Sequence, residues 1–129
     1  MRKIVSRSFA LAVLPPALWA CASTSASPVY DDIGIRLSGV VTGTLIRFNG
    51  CYAVDSNDAG TPVILILPRT TRMKKTQLVF DPANGGRAVS IGEIVTLWGG
   101  YTEITDHPDH EYRHVPCKGD AFLVNSVTN

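Results

Sequence analysis

Leu37-Ser-Gly-Val-Val-Thr-Gly-Thr-Leu-Ile-Arg-Phe-Asn-Gly-Cys-Tyr-Ala-Val-Asp55 is the stretch whose reading decides the fold. Residues 37–48 are rich in β-branched side chains, which suit a pleated, half-buried surface. Gly39 and Gly43 interrupt them where a strand would bend or bulge. Asn49-Gly50 tolerates the positive φ that a two-residue hairpin turn demands. A long bent strand, a tight turn and a second strand over 51–55 are therefore expected.

The pattern continues outward from that hairpin. Ser56 to Gly60 reads as a turn. Thr61-Pro-Val-Ile-Leu-Ile-Leu67 is continuously apolar, as a strand buried on both faces should be. Pro68 to Thr76 is polar and basic, and Thr76 to Phe80 is either a short strand or a linking turn of helix. Asp81 to Gly86 is a loop by composition. Arg87 to Gly100 holds a long strand that continues towards Ile104, Asp106 to Gly119 is a loop, and Ala121 to Val127 is a closing strand. No amphipathic helix and no internal repeat stand out.

Five main strands with glycine bends in about 100 residues predict an all-β fold, a small five- to six-stranded barrel. Their order resembles an OB-fold: a long bent first strand, a hairpin to strands two and three, an irregular connector, then strands four and five. Ile91-Gly92-Glu93-Ile94-Val95-Thr96-Leu97-Trp98-Gly99 is similar to the turn and fourth strand common in such barrels. An immunoglobulin-like β-sandwich is the alternative, but it wants about seven strands.

The chain opens with Arg2, Lys3 and Arg7, then runs apolar from Phe9 to Ala20, broken by Pro15-Pro16. A basic start, a short apolar run and a small residue before a break make a secretory signal over 1–20. Leu18-Trp19-Ala20-Cys21 resembles the bacterial lipobox, in which the Cys receives a lipid; Trp19 departs from the usual small residue. The resemblance implies lipidation at Cys21, a membrane partner and, since Ala22 is not Asp, an outer-membrane lipoprotein facing the periplasm. Cleavage at an A-x-A type site would instead give a soluble secreted or periplasmic protein. Residues 21–34 are expected as a flexible polar tether, and 35–129 as one barrel domain.

Removing Arg2, Lys3 and Arg7 from the twelve basic residues leaves nine against eleven acidic ones. No general attraction to nucleic acid follows from that balance. Either cleavage leaves Cys51 and Cys117 inside the folded domain, and two cysteines in an exported domain predict one disulfide.

Three groups of residues are candidates for function. His107, His110 and His114, with Asp109 and Glu111 between them, offer nitrogen and oxygen ligands for a metal ion, in a spacing that matches no familiar motif. Arg69, Arg72, Lys74 and Lys75 could bind an anion, and outside the cytosol anionic lipid head groups or an acidic protein face are expected rather than nucleic acid. Tyr52 and Trp98 could line a ligand face, although aromatics in small barrels more commonly pack inside and Trp98 is expected in the core. No nucleophile motif or phosphate-binding glycine loop suggests an enzyme, and no cofactor is expected beyond a metal. The functional expectation is an exported, lipid-anchored, non-enzymatic module that binds a protein or glycan of the cell envelope. A periplasmic metal-binding protein using the 106–114 loop is the alternative.

Overall fold

Asn49 (φ 51°) and Gly50 (φ 87°) turn the chain between two strands paired from Phe48↔Cys51 to Thr44↔Asp55, the hairpin that the Asn-Gly dipeptide predicts. The structure, a computed structural model, describes residues 27–128 apart from 33, 35 and 57–59. Cys21, the expected signal before it and half of the expected tether lie outside these residues. The strands are β1 (Val29–Tyr30), β2 (Gly39–Phe48), β3 (Cys51–Asp55), β4 (Val63–Pro68), β5 (Arg72–Met73), β6 (Gln77–Val79), β7 (Ala88–Ser90), β8 (Ile94–Ile104) and β9 (Gly119–Thr128).

Strands β4, β3, β2, β8 and β9 lie in that order, and β4 pairs in parallel with β9 to close the ring. The fold is thus all-β, a closed five-stranded barrel compatible with the OB-like arrangement, rather than a two-sheet sandwich. Between β4 and β8, strands β5, β6 and β7 form a small separate meander. Its Leu78, Phe80 and Val89 join the barrel core, so it closes one end. Ser90 and Ile94 belong to different sheets, separated by a turn at Ile91 and Gly92 (φ 95°). The single strand expected over 87–100 is therefore two, because Gly92 supplies a left-handed turn that side-chain composition alone does not reveal.

Side-chain alternation sorts the strands into two apolar layers. Val41, Leu45, Tyr52, Val54, Leu65 and Leu97 are among those that point inward. Cys51, Ile64, Ile66, Ile104, Cys117 and Ala121 form a second cluster on the outer surface. Strand β4 contributes to both, which is why all six of its residues are buried and why it reads as an uninterrupted apolar run. The 105–118 loop folds over Ile64 and Ile66, with Tyr112 and Val115 packed on that cluster. The Cys51–Cys117 disulfide fastens it there, its Cα atoms 6.2 Å apart and both residues fully buried.

Contacts with the barrel begin earlier in the chain than the sequence suggests. Ser27 accepts a hydrogen bond from the Tyr52 amide (2.5 Å), and β1 pairs in parallel with the end of β4. Residues 27–30, expected within the tether, instead cover backbone groups that β3 leaves where it diverges from β4. The register between β8 and β9 shifts between Trp98 and Gly99, leaving Asn125 without an opposite residue. This bulge residue anchors a polar network. Its side chain accepts from the Leu37 amide (2.8 Å) and donates to the Tyr30 hydroxyl (3.0 Å), which itself donates to Val124 O (2.6 Å). Asn84, in the 3-10 turn Pro82–Asn84, donates to Asn125 O and to Asp32 Oδ2, both at 2.8 Å. Gly99 sits at the same shift; a Cβ there would lie 1.8 Å from Leu123 O, so only glycine fits.

Two predictions come from these contacts. The disulfide closes a loop of 66 residues in separation, which the chain-entropy estimate values at roughly 4 kcal/mol. Cys51→Ser and Cys117→Ser should lower the urea midpoint by similar amounts, and the double variant should be no less stable than either; additive losses would mean the two sulfurs do not share a bond. The second concerns acid. The Gly34 amide, with Asn84 and Arg36, holds the Asp32 carboxyl below its ordinary value of 3.8. A depressed carboxylate stabilises the fold above its unfolded pKa, and the gain is lost as pH falls through the folded value. Asp32→Asn should be less stable than the parent at pH 7, and the gap should shrink as pH drops below 3.8; a gap independent of pH would contradict this.

Candidate functional site

The outer ladder between β2 and β8 carries the most exposed apolar surface among the described residues. Val40 faces Trp98, Thr42 faces Thr96 and Thr44 faces Ile94. Their sequence neighbours Val41, Val95 and Leu97 fill the barrel interior, so alternation sends this set outward. Trp98 is 41 % exposed and Ile94 70 %. The middle step is polar, the two threonine hydroxyls standing 2.9 Å apart. Trp98, expected in the core, is therefore a surface residue, displaced outward because Leu97 and Gly99 take the inward positions on either side.

β8 outruns β2, since the last pair between them is Gly39↔Gly99. Beyond it Tyr101 still pairs with Phe122 of β9 but has no residue of β2 opposite it. It rests edge-on against Phe122, ring centroids 4.9 Å apart, and remains 62 % exposed. On the outer side Leu37 lies over Gly100, where a Cβ would come within 2.6 Å of its Cδ1. A cleft of about 170 Å³ opens beside this contact, between Leu37 and Leu123 on one wall and His110 and Tyr112 of the 105–118 loop on the other. Leu37, Val40, Trp98 and Tyr101 thus make an apolar rim leading to a shallow cleft. Aromatic side chains on such a rim offer large contact area with little loss of rotamer freedom. Burial holds the Tyr112 hydroxyl above its ordinary pKa, so it is a neutral donor and acceptor at physiological pH.

Tyr52 does not belong to this surface. It is 0 % exposed, its ring lies inside the barrel and its hydroxyl donates to Lys74 O. The ligand face expected from Tyr52 and Trp98 is corrected accordingly: the two point to opposite sides of the barrel wall.

The histidines of the 105–118 loop are held separately by local bonds. Both ring nitrogens of His110 are engaged, Nδ1 by the Tyr112 amide (3.1 Å) and Nε2 by Glu103 O (2.9 Å). His107 Nδ1 accepts from the Asp109 amide (3.2 Å), and His114 stands exposed. Among the described residues no group of three or more His, Cys, Asp or Glu could hold a metal ion. His107 and Asp109 approach to 3.9 Å, but the loop's turns do not bring a third ligand to them from His110 or His114, and Cys117 is occupied by Cys51.

The basic segment is better organised than its composition implied. Arg69 pairs with Asp31 (2.6 Å), whereas Arg72, Lys74 and Lys75 project from the β5–β6 hairpin. Arg47, not singled out by sequence, joins them: its guanidinium lies 4.8 Å above the Tyr52 ring and donates to Lys75 O (3.1 Å). Only the cross-strand pair Arg47↔Tyr52 brings it there, and one sequence alone does not disclose that register. Comparison of the chain with protein-family models, curated proteins and solved structures returns no match.

The two aromatics should respond differently to truncation. Tyr52→Ala removes a fully buried ring and should cost about 3–5 kcal/mol, measured by urea unfolding. Trp98→Ala should cost about 1 kcal/mol, because its side chain stays partly hydrated in the folded state. Equal losses would show that Trp98 packs inside.

Proposed function

We propose that this chain is an exported, lipid-anchored protein of the cell envelope whose barrel acts as a non-enzymatic binding module. The buried Cys51–Cys117 disulfide is the observation that carries this reading, because such bridges persist in oxidising compartments and are rare in the cytosol. The basic and apolar start, ending in Leu18-Trp19-Ala20-Cys21, supplies the export route and the acylated residue. Several acyl chains on Cys21 give stable attachment, which one chain alone does not. Ala22, in place of the Asp that resembles a retention signal, favours the periplasmic face of the outer membrane. The Leu37, Val40, Trp98 and Tyr101 rim supports binding of a protein or glycan of the envelope, since an exposed aromatic surface on a small barrel has no role in its own core.

The anchor is tested by growing the native host with a palmitate analogue and recovering the chain. The parent should be labelled and sediment with membranes, and Cys21→Ser should be unlabelled and released by washing. An unlabelled parent rules out the lipoprotein.

A further inference from the structure

The barrel end where β2 finishes, β3 starts and β4 finishes is ringed by cations: Arg47, Arg69, Arg72, Lys74 and Lys75. Asp31 neutralises Arg69. Among the described residues, Arg47, Arg72, Lys74 and Lys75 form no ion pair, nor does Arg113 of the 105–118 loop, which donates to His110 O, whereas Arg36, Arg87 and Lys118 each do. Three carboxylates lie towards the opposite end. Asp55 closes β3 there, and Glu103 and Asp120 face each other across the β8–β9 register. A domain with a slight negative balance thus carries four of its five unpaired described cations, all but Arg113 of the 105–118 loop, on one end.

The cations are also presented from fixed backbone. Lys74 N donates to Gln77 O (2.8 Å), the buried Tyr52 hydroxyl donates to Lys74 O, and Arg47 holds Lys75 O. The hairpin therefore loses little further backbone freedom on meeting a charged surface. The point where the chain leaves the barrel lies close by. Ser27 is bonded to the Tyr52 amide, and the other end of the same tyrosine touches Lys74. Five residues lie between Cys21 and Ser27, a reach of at most about 20 Å over six Cα–Cα steps.

We propose that the Arg47, Arg72, Lys74 and Lys75 end of the barrel sits on the head groups of anionic phospholipids, orienting the domain with its carboxylate end outward. The orientation rests on the anchor proposed above, but the contact itself is tested without acylation. Head-group phosphates meet Lys and Arg as exposed charges, and each basic residue near an anionic surface strengthens binding about fivefold. The contact is electrostatic, so it weakens as salt shortens the screening length.

The experiment uses the full chain carrying Cys21→Ser, mixed with vesicles of phosphatidylcholine alone or with about 30 mol% phosphatidylglycerol, and read by co-sedimentation. Binding to neutral vesicles measures what the apolar segment 9–20 contributes; the ratio of the two affinities measures charge. The triple substitution Arg72→Gln, Lys74→Gln, Lys75→Gln should lower that ratio by roughly a hundredfold while leaving the thermal midpoint unchanged. Asp31→Asn, which releases Arg69, should raise it about fivefold. About 0.5 M salt should abolish the preference. A triple variant that keeps the parent ratio overturns the proposal, because Arg2, Lys3 and Arg7 then carry the preference. Retention on a soluble polyanion with no preference for anionic vesicles also overturns it, in favour of an acidic macromolecular partner. Loss of palmitate labelling with the vesicle preference intact removes the anchor and leaves the basic face; the converse removes the basic face and leaves the anchor.

Discussion

A strand whose both faces are apolar must be covered twice, and β4 imposes that requirement on the rest of this molecule. Its Val63, Leu65 and Leu67 side chains close the barrel interior with the inward residues of the other strands. Ile64 and Ile66 face the other way and would be open to water without the 105–118 loop. That loop has no regular strand of its own to hold it, only short turns. The Cys51–Cys117 bond supplies the missing constraint by tying its C-terminal end to the start of β3. β1 completes the cover at the far end of β4, pairing where β3 has diverged. Barrel closure, loop position and the docking of residues 27–30 are therefore three consequences of one buried strand.

Much of this was legible because local chemistry and global fold agree. Asn49-Gly50 specifies its turn whatever surrounds it, since Asn49 and Gly50 tolerate positive φ where most residues do not. The run 61–67 signals two-sided burial because no polar residue breaks it after Pro62. The cysteine pair followed from counting thiols in a chain whose start reads as an export signal. The loop expected over 106–119 runs from 105 to 118, since Gly119 already belongs to β9.

What the sequence could not disclose was register and direction. Trp98 and Tyr52 look alike as aromatics in strands, yet one points out and the other in, and the difference lies in which neighbour takes the inward place. Arg47 became part of the basic end only because hairpin pairing sets it over Tyr52. Clustering in sequence did not place His107, His110 and His114 around a common point, because each local turn consumes ring nitrogens or directs them away. Asn125 reads as an ordinary polar residue near the end of a strand; the register shift opposite Trp98 and Gly99 makes it the hub that joins Tyr30, Leu37 and Asn84. Gly92 likewise hid a strand break inside an apolar stretch.

The same bond that pins the loop links the fold to the proposed compartment, since disulfides persist in oxidising environments and are rare in the cytosol. The most direct measurement is therefore alkylation of the chain from its native host, quenched in acid, denatured without reductant and read by intact mass. Cys51 and Cys117 should remain unmodified and react only after reduction. Alkylation of both before reduction would contradict the locked cover over β4 and, with it, maturation outside the cytosol.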